Sequence, residues 1–159
     1  YHKISQQRLY EASVANGNPA LTVSSAGALI DSLHAIGAKR VSIICPYMKP
    51  LTKMVVDYIE SEGIEVRDFI ALEIPDNLEV AAQDPNAPAE LWKKLDVTGV
   101  DAIIASACVQ MPSLPSIEKI EKASGIPTIS AAVATTYEIL NTLKLKPVAP
   151  GGGFLLAER

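Results

Sequence analysis

Three short segments of this chain carry side chains that could bind or transform a small anion. Each follows an apolar run, and they are Cys45-Pro46-Tyr47, Ile74-Pro75-Asp76-Asn77 and Ser106-Ala107-Cys108-Val109-Gln110-Met111-Pro112. A thiol can act as a nucleophile or exchange a proton, while a phenol and a carboxamide can donate hydrogen bonds. The segments therefore predict a site in which cysteine chemistry acts beside hydrogen-bond donors.

Cys108 is the strongest candidate among these residues. It follows Ala102–Ala105, the clearest buried strand in the sequence, where the chain begins to turn toward a further helix. Backbone N–H groups at such a turn stabilise a thiolate or a bound carboxylate. A free cysteine is also commonly a small core residue, and Cys45, which lies earlier in its strand-to-loop transition, fits that description better.

Tyr47 and Asn77 each have an ordinary structural explanation as well. A loop hydroxyl can anchor its own loop, and an asparagine can form an Asx turn. The functional interpretation gains weight because these two residues and Cys108 follow three strands of one predicted sheet. Ligands of such sheets bind outside the carboxyl ends of the strands.

The elements that must position these residues alternate between helix and strand. The pattern predicts helices over 1–15, 25–36, 51–62, 90–95, 116–122 and 136–143, and strands over 41–44, 66–72, 101–107 and 128–130. This alternation is typical of an α/β fold with a doubly wound, mostly parallel sheet, apolar on both faces and covered by helices on each. We expect residues 73–88 to be irregular and Gly151–Gly153 to form a flexible return loop.

The composition excludes several classes of protein. The 159 residues are 48% hydrophobic and 20% charged, which is normal for a single globular domain. The 14 basic and 18 acidic residues give a net charge of −4 without a basic cluster, which disfavours nucleic-acid binding. No apolar run has the length of a membrane span and no secretory signal is recognisable, so we expect a cytoplasmic protein with reduced thiols.

Familiar cofactor and metal motifs are missing from the sequence. It has no GxGxxG after a strand, no GxxxxGK[ST], and only two histidines, His2 and His34. A Cys–His nucleophile pair and a zinc site therefore both lack support. Glu73 and Asp76 fall near the predicted site, but an acidic loop surface explains them.

Three stretches resemble bacterial maleate cis-trans isomerases, which belong to the aspartate/glutamate racemase-like superfamily. They are Pro46–Thr52, Glu73–Val80 and Ser106–Leu114, and the similarity runs through essentially the whole chain. The resemblance implies two similar α/β lobes around a ligand cleft, no cofactor, a small dicarboxylate substrate, and a homodimer or larger homo-oligomer. It divides the chain into a remnant helix of the first lobe with a linker (1–20), the second lobe (21–146) and a tail returning toward the first lobe (147–159).

The resemblance also implies roles for individual residues. Cys108 corresponds to the second-lobe cysteine that acts as acid and base, Tyr47 and Asn77 to substrate-carboxylate ligands, and Val109 to a residue that offers its backbone N–H. The nucleophilic cysteine would lie upstream of this chain with most of the first lobe, so the 159 residues alone are expected to be inactive.

The activity that the resemblance implies is conversion of maleate to fumarate through a covalent succinyl-cysteine. Two alternatives remain open. One is an arylmalonate-decarboxylase-like or racemase-like enzyme that uses Cys108, and the other is an inactive lobe fragment.

Overall fold

Four parallel strands form the centre of the fold in the computed structural model, which describes residues 2–158. The strands are β1 (Arg40–Cys45), β2 (Glu65–Ala71), β3 (Ala102–Ser106) and β4 (Thr128–Ser130). Their spatial order is β2-β1-β3-β4, with every neighbouring pair parallel. The chain therefore runs from β1 to β2 at one edge of the sheet, returns past β1 to β3, and ends with β4 at the other edge.

Within residues 2–158, seven α-helices accompany this sheet. They are α1 (His2–Ala15), α2 (Ser25–Ala35), α3 (Lys49–Ser61), α4 (Asn77–Ala81), α5 (Pro88–Leu91), α6 (Leu114–Ser124) and α7 (Ala131–Thr142). Helix α2 packs against α7 and is bonded to α3, whereas α5 packs against α6. The predicted α/β fold with a parallel sheet is confirmed, and none of the helices in the described part of the chain is long and apolar enough to span a membrane.

Several helices begin earlier than the sequence pattern predicts. Helices α3 and α6 each carry a proline in the first turn, where its missing N–H costs no hydrogen bond. Helix α7 begins at Ala131 because the Ser130 hydroxyl accepts a hydrogen bond from the Val133 N–H at 3.2 Å. The expectation that residues 73–88 are irregular is wrong over Asn77–Ala81, since this stretch forms the short helix α4.

The core of the sheet is aliphatic and lies in its two central strands. Ile43 and Ile44 of β1 and Ile103 and Ile104 of β3 are completely buried, so these strands are apolar on both faces as predicted. The same expectation is wrong for β2, in which exposed and half-buried residues alternate. Over residues 65–70, the half-buried residues of β2 lie on one face and the exposed ones on the other, so only one face of this strand is packed against the rest of the described chain.

The C-terminal tail is packed rather than flexible, which corrects the prediction for Gly151–Gly153. The Phe154 N–H donates to the Glu121 carboxylate at 2.9 and 3.1 Å, and Leu155 and Leu156 are buried in a 3-10 turn. The glycines permit this close approach. A Cβ on Gly153 would lie 2.5 Å from Ile117 Cγ2, which no real side chain tolerates without a shift.

Substitution of Gly153 by alanine is therefore expected to destabilise the fold by about 1–3 kcal/mol, the usual cost of overpacking. Gly151→Ala is the matched control, because Gly151 also has a positive φ but its Cβ would lie at an ordinary 3.7 Å from Leu114. Urea unfolding of both variants measures the difference. Equal losses of stability would show that backbone conformation, not close packing, explains Gly153.

Candidate active site

The three predicted segments meet at the carboxyl edge of the sheet. Tyr47 follows β1, Asn77 opens α4 after β2, and Cys108 follows β3. The strand order reverses between β1 and β3, and ligands of an open parallel sheet bind in the crevice at such a reversal, outside the carboxyl ends of the strands. Tyr47 and Cys108 lie on the two loops that border this position.

The thiol of Cys108 lies on a loop rather than at the start of a helix. Helix α6 begins only at Leu114, so residues 107–113 supply the backbone around the thiol. Cys108 is partly exposed, and its backbone is bonded at both the amide and the carbonyl to the Ser106 side chain. The residue is thus partly accessible to solvent, while its backbone is held by the last residue of β3.

Tyr47 reaches across to the loop that carries Cys108. Its hydroxyl donates at 3.5 Å to the carbonyl oxygen of Ala107, the residue before Cys108. Burial is the main cause that raises the pKa of Tyr47, and the hydrogen bond and charge of Cys108 add to it. The hydroxyl therefore stays protonated through the neutral range and can donate to an anion.

The loops after β1 and β2 are joined by backbone hydrogen bonds beyond the last paired strand residues. The N–H groups of Leu72, Glu73 and Ile74 donate to carbonyl groups in the 45–47 segment at 2.9, 3.3 and 3.0 Å. Glu73 adopts a left-handed conformation (φ 56°) in this connection, which is unfavourable for a side chain with a Cβ. The loop that carries Tyr47 is therefore held in place by the loop after β2.

Asn77 is connected to the Cys108 loop and keeps its own side chain exposed. The backbone carbonyl oxygen of Asn77 accepts a hydrogen bond from Gln110 Nε2 at 3.0 Å. The Asx-type bonds at this point are made by Asp76, whose Oδ1 accepts from the Leu78 N–H at 2.6 Å and the Glu79 N–H at 3.3 Å. Within residues 2–158 the Asn77 carboxamide forms no hydrogen bond, so it can serve a ligand.

Val109 also offers an unused donor at this edge. No carbonyl or side-chain acceptor in the described residues binds the Val109 N–H, and its side chain is 46% exposed. The position predicted to present a backbone N–H is thus free to do so, next to the Cys108 thiol.

Cys45 differs from Cys108 in burial, which controls the access of reagents to a thiol. It is completely buried, and this burial raises its pKa to about 12, with a smaller increase from Cys108 and a partial offset from a hydrogen bond with Thr52. A thiol in this environment is almost never a thiolate near neutral pH. The geometry therefore agrees with the interpretation of Cys45 as a core residue.

This contrast predicts selective alkylation. In the folded protein at pH 8, iodoacetamide is expected to modify Cys108 at least about tenfold faster than Cys45, because the exposed thiolate is the reacting species. Peptide mass spectrometry after timed quenching measures both rates, and the same reaction in urea is the control that should equalise them. Comparable rates in the folded protein would show that Cys45 is accessible.

Two of the cavities lie near the C-terminal tail. One of about 630 Å³ lies between α6 and the tail and contains none of the predicted site residues. The other, of about 360 Å³, lies between the Cys108 loop, α7 and the tail, and Val109 is among the residues that line it. His34 is exposed on α2, and His2 is bonded to Tyr58 on α3. In the part of the chain that the structure describes, no three His, Cys, Asp or Glu side chains gather in an arrangement that could hold a metal ion.

Two residues of the Cys108 segment contribute contacts that the sequence did not suggest. Ser106 bonds the Cys108 backbone, and Gln110 links the loops after β2 and β3. A serine two residues before a loop cysteine is a local signal for a side-chain turn. Gln110 and Asn77 are 33 residues apart in the sequence, so no local pattern predicts the contact between them.

Comparison with known proteins gives a consistent set of relatives. The sequence profile of the arylmalonate decarboxylase family (Amdase) matches residues 3–156. The chain is 53% identical over 157 residues to the maleate isomerase of Geobacillus stearothermophilus and 50% identical to that of Pseudomonas putida. These matches cover 99% of this chain but only 62% and 63% of the relatives, so the chain spans less than two thirds of their length.

Solved structures agree with these matches. A maleate isomerase from Pseudomonas putida S16, a variant with one cysteine replaced by alanine and determined with maleate, superposes with a TM-score of 0.96 at 52% identity. A Nocardia farcinica maleate cis-trans isomerase, a cysteine-to-serine variant with a covalently bound succinylcysteine intermediate, gives 0.94 at 43%. Both cover 98% of this chain and 62–63% of the other.

Arylmalonate decarboxylase itself shares the fold, with a TM-score of 0.77 at 20% identity over 91% of this chain and 63% of that one. That likeness in structure concerns the fold alone. The sequence profile reaches further, since it spans nearly every residue of this chain, and the chain belongs to the arylmalonate decarboxylase family.

Proposed function

We propose that this chain is the part of a maleate cis-trans isomerase that carries the proton-transferring cysteine and the groups that bind the substrate carboxylates. The observation that carries this proposal is that Tyr47 and Cys108 lie on the two loops at the strand reversal, where the Tyr47 hydroxyl donates to the carbonyl of Ala107, next to Cys108, at 3.5 Å. Support comes from maleate isomerases that are 43–53% identical over nearly the whole chain. In this proposal residues 21–146 form one of two lobes, and the longer relatives supply the precedent for a second.

The chemistry requires the double bond of maleate to become single for a moment. A thiolate adds to one alkene carbon, and the carbanion that develops on the other carbon takes a proton from an acid. The succinyl-cysteine adduct then rotates about its new single bond. Removal of a proton from the same carbon reforms the double bond and expels the thiolate, so fumarate leaves with no net gain or loss of atoms or electrons.

We assign the proton transfer to Cys108 and the covalent bond to a cysteine outside these 159 residues. The Nocardia farcinica relative carries its succinylcysteine in a variant in which one cysteine is replaced by serine, so a different cysteine of that protein forms the adduct. Cys45 does not suit this role, because it is completely buried and its pKa is raised to about 12.

The carboxylates of the substrate are assigned to neutral donors. These are the Tyr47 hydroxyl, the Asn77 carboxamide and the Val109 backbone N–H, while the nearby Lys49 is paired with Glu73 at 3.1 Å. A fixed cationic clamp would bind the two ends of maleate strongly in the ground state. Oriented dipoles stabilise developing charge and still let one carboxylate turn with its carbon.

Decarboxylation of an arylmalonate is the second candidate, because the family profile that matches this chain carries that name. Proton NMR of the whole protein with maleate, and separately with phenylmalonate, distinguishes the two. We expect the maleate signal to be replaced by fumarate and no phenylacetate to form. Phenylacetate without fumarate would reverse the assignment, and fumarate from residues 1–159 alone would show that no further cysteine is needed.

A further inference from the structure

Ser106 occupies an unusual position between the sheet and the candidate active site. It is the last residue of β3, is completely buried, and pairs with Ser130 across the β3–β4 ladder. The next residue, Ala107, donates its N–H to the Ile44 carbonyl of β1 at 3.0 Å. The backbone that carries the Ser106 side chain is therefore held by a neighbouring strand on each side, β4 on one and β1 on the other.

The hydroxyl of Ser106 forms two hydrogen bonds, and both are to the backbone of Cys108. It accepts from the Cys108 N–H at 3.2 Å and donates to the Cys108 carbonyl oxygen at 2.8 Å. The two bonded groups lie on either side of the Cys108 Cα, so the pair restrains both backbone torsions of that residue. Since the torsions set the direction of the Cα–Cβ bond, the hydroxyl also sets where the thiol points.

We propose that Ser106 is a positioning residue that aims the Cys108 thiol into the crevice, an inference that rests on the proposed function of Cys108. Proton transfer to carbon depends steeply on alignment, and a displacement of about 1 Å can cost about 100-fold in rate. Ser106 itself touches no reacting atom. Its contribution is to hold the loop of Cys108 in one conformation while the side chain remains accessible.

Ser42 provides a matched control within the same sheet. It is a completely buried serine on the neighbouring strand β1, and its hydroxyl donates to the Asp96 carbonyl oxygen at 2.6 Å. That bond holds the segment before β3, at the opposite end of the sheet from the crevice. Ser42→Ala and Ser106→Ala thus remove the same chemical group from equally buried strand positions, and only one of them releases Cys108.

The kinetic test uses the whole protein with maleate. Ser106→Ala is expected to reduce kcat at least about tenfold with KM changed less than about threefold, because the carboxylate donors stay in place. Ser106→Thr, which keeps the hydroxyl, should recover most of the lost kcat, and Ser42→Ala should leave it within about threefold. An equal loss in Ser106→Thr and Ser106→Ala, or an unchanged kcat in Ser106→Ala, would overturn the proposal.

A second test does not depend on isomerisation, so it separates failure of this inference from failure of the proposed function. In the unmodified protein, the Cys108 amide hydrogen should exchange slowly by NMR, since it is bonded to the Ser106 hydroxyl. In Ser106→Ala that amide should exchange at least about tenfold faster and iodoacetamide should modify Cys108 at least about threefold faster. A Cys108 amide that exchanges freely in the unmodified protein would overturn the inference whether or not fumarate forms.

Discussion

Replacement of Cys108 by serine is expected to reduce the turnover of maleate by the whole protein at least about 100-fold. This is the usual contribution of a positioned acid or base, and a serine hydroxyl is too weakly acidic to replace a thiol in giving a proton to carbon and taking it back. Because serine is nearly isosteric and the side chain is only partly buried, the fold should be unchanged. Fumarate formation by NMR and circular dichroism measure the two effects.

Cys45→Ala is the control for that experiment. It removes the only other thiol of the sequence, from a fully buried position that the proposed mechanism does not use. It should cost stability through the small cavity that it leaves and keep turnover within about threefold. Near-normal turnover by folded Cys108→Ser protein would remove Cys108 from the mechanism.

Replacement of Tyr47 by phenylalanine should reduce kcat/KM by about 10- to 100-fold. The hydroxyl is assigned to a substrate carboxylate, and the loss of one donor to a charged, desolvated acceptor costs about 1.5–3 kcal/mol. The ring still fills its half-buried place, and the bond that the hydroxyl makes to the Ala107 carbonyl is long at 3.5 Å. The free energy of unfolding should therefore change little.

Tyr58→Phe is the matched control for Tyr47→Phe. The Tyr58 hydroxyl lies 2.7 Å from His2 Nδ1 and donates to the Ala26 carbonyl at 3.2 Å, where it connects α1, α2 and α3 away from the crevice. Its removal should lower stability and spare catalysis. If Tyr47→Phe left both kinetic constants unchanged, Tyr47 would be an anchor of its own loop instead.

The fold could be predicted from the sequence because its signals are local. Alternation of short β-branched runs with helical periodicity predicts the four strands of the described sheet, all of which are present. The exposed face of β2 could not be predicted in this way. Whether a strand face is covered depends on contacts with segments that are distant in the sequence, and the residues from Glu65 to Ala71 do not indicate those contacts.

The candidate site was predictable in its location and less so in its details. The strand-end rule places Tyr47 and Cys108 at one edge, and in the structure the Tyr47 hydroxyl donates to the carbonyl of Ala107, next to Cys108. The Asx-type hydrogen bonds considered for Asn77 are made by Asp76 instead. Proline and acidic residues precede α4, so the sequence pattern does not indicate at which residue this helix begins. The contact of Gln110 with Asn77 depends on how two loops meet in space.

The backbone hydrogen bonds between the 45–47 and 72–74 segments couple the conformations of the two loops. Substitutions in residues that share such a network do not add independently, so a change at Glu73 should alter the effect of a change at Tyr47. Any attempt to reshape this edge for a bulkier ligand must therefore vary both loops in a single library, since screening either one alone would miss the compatible pairs.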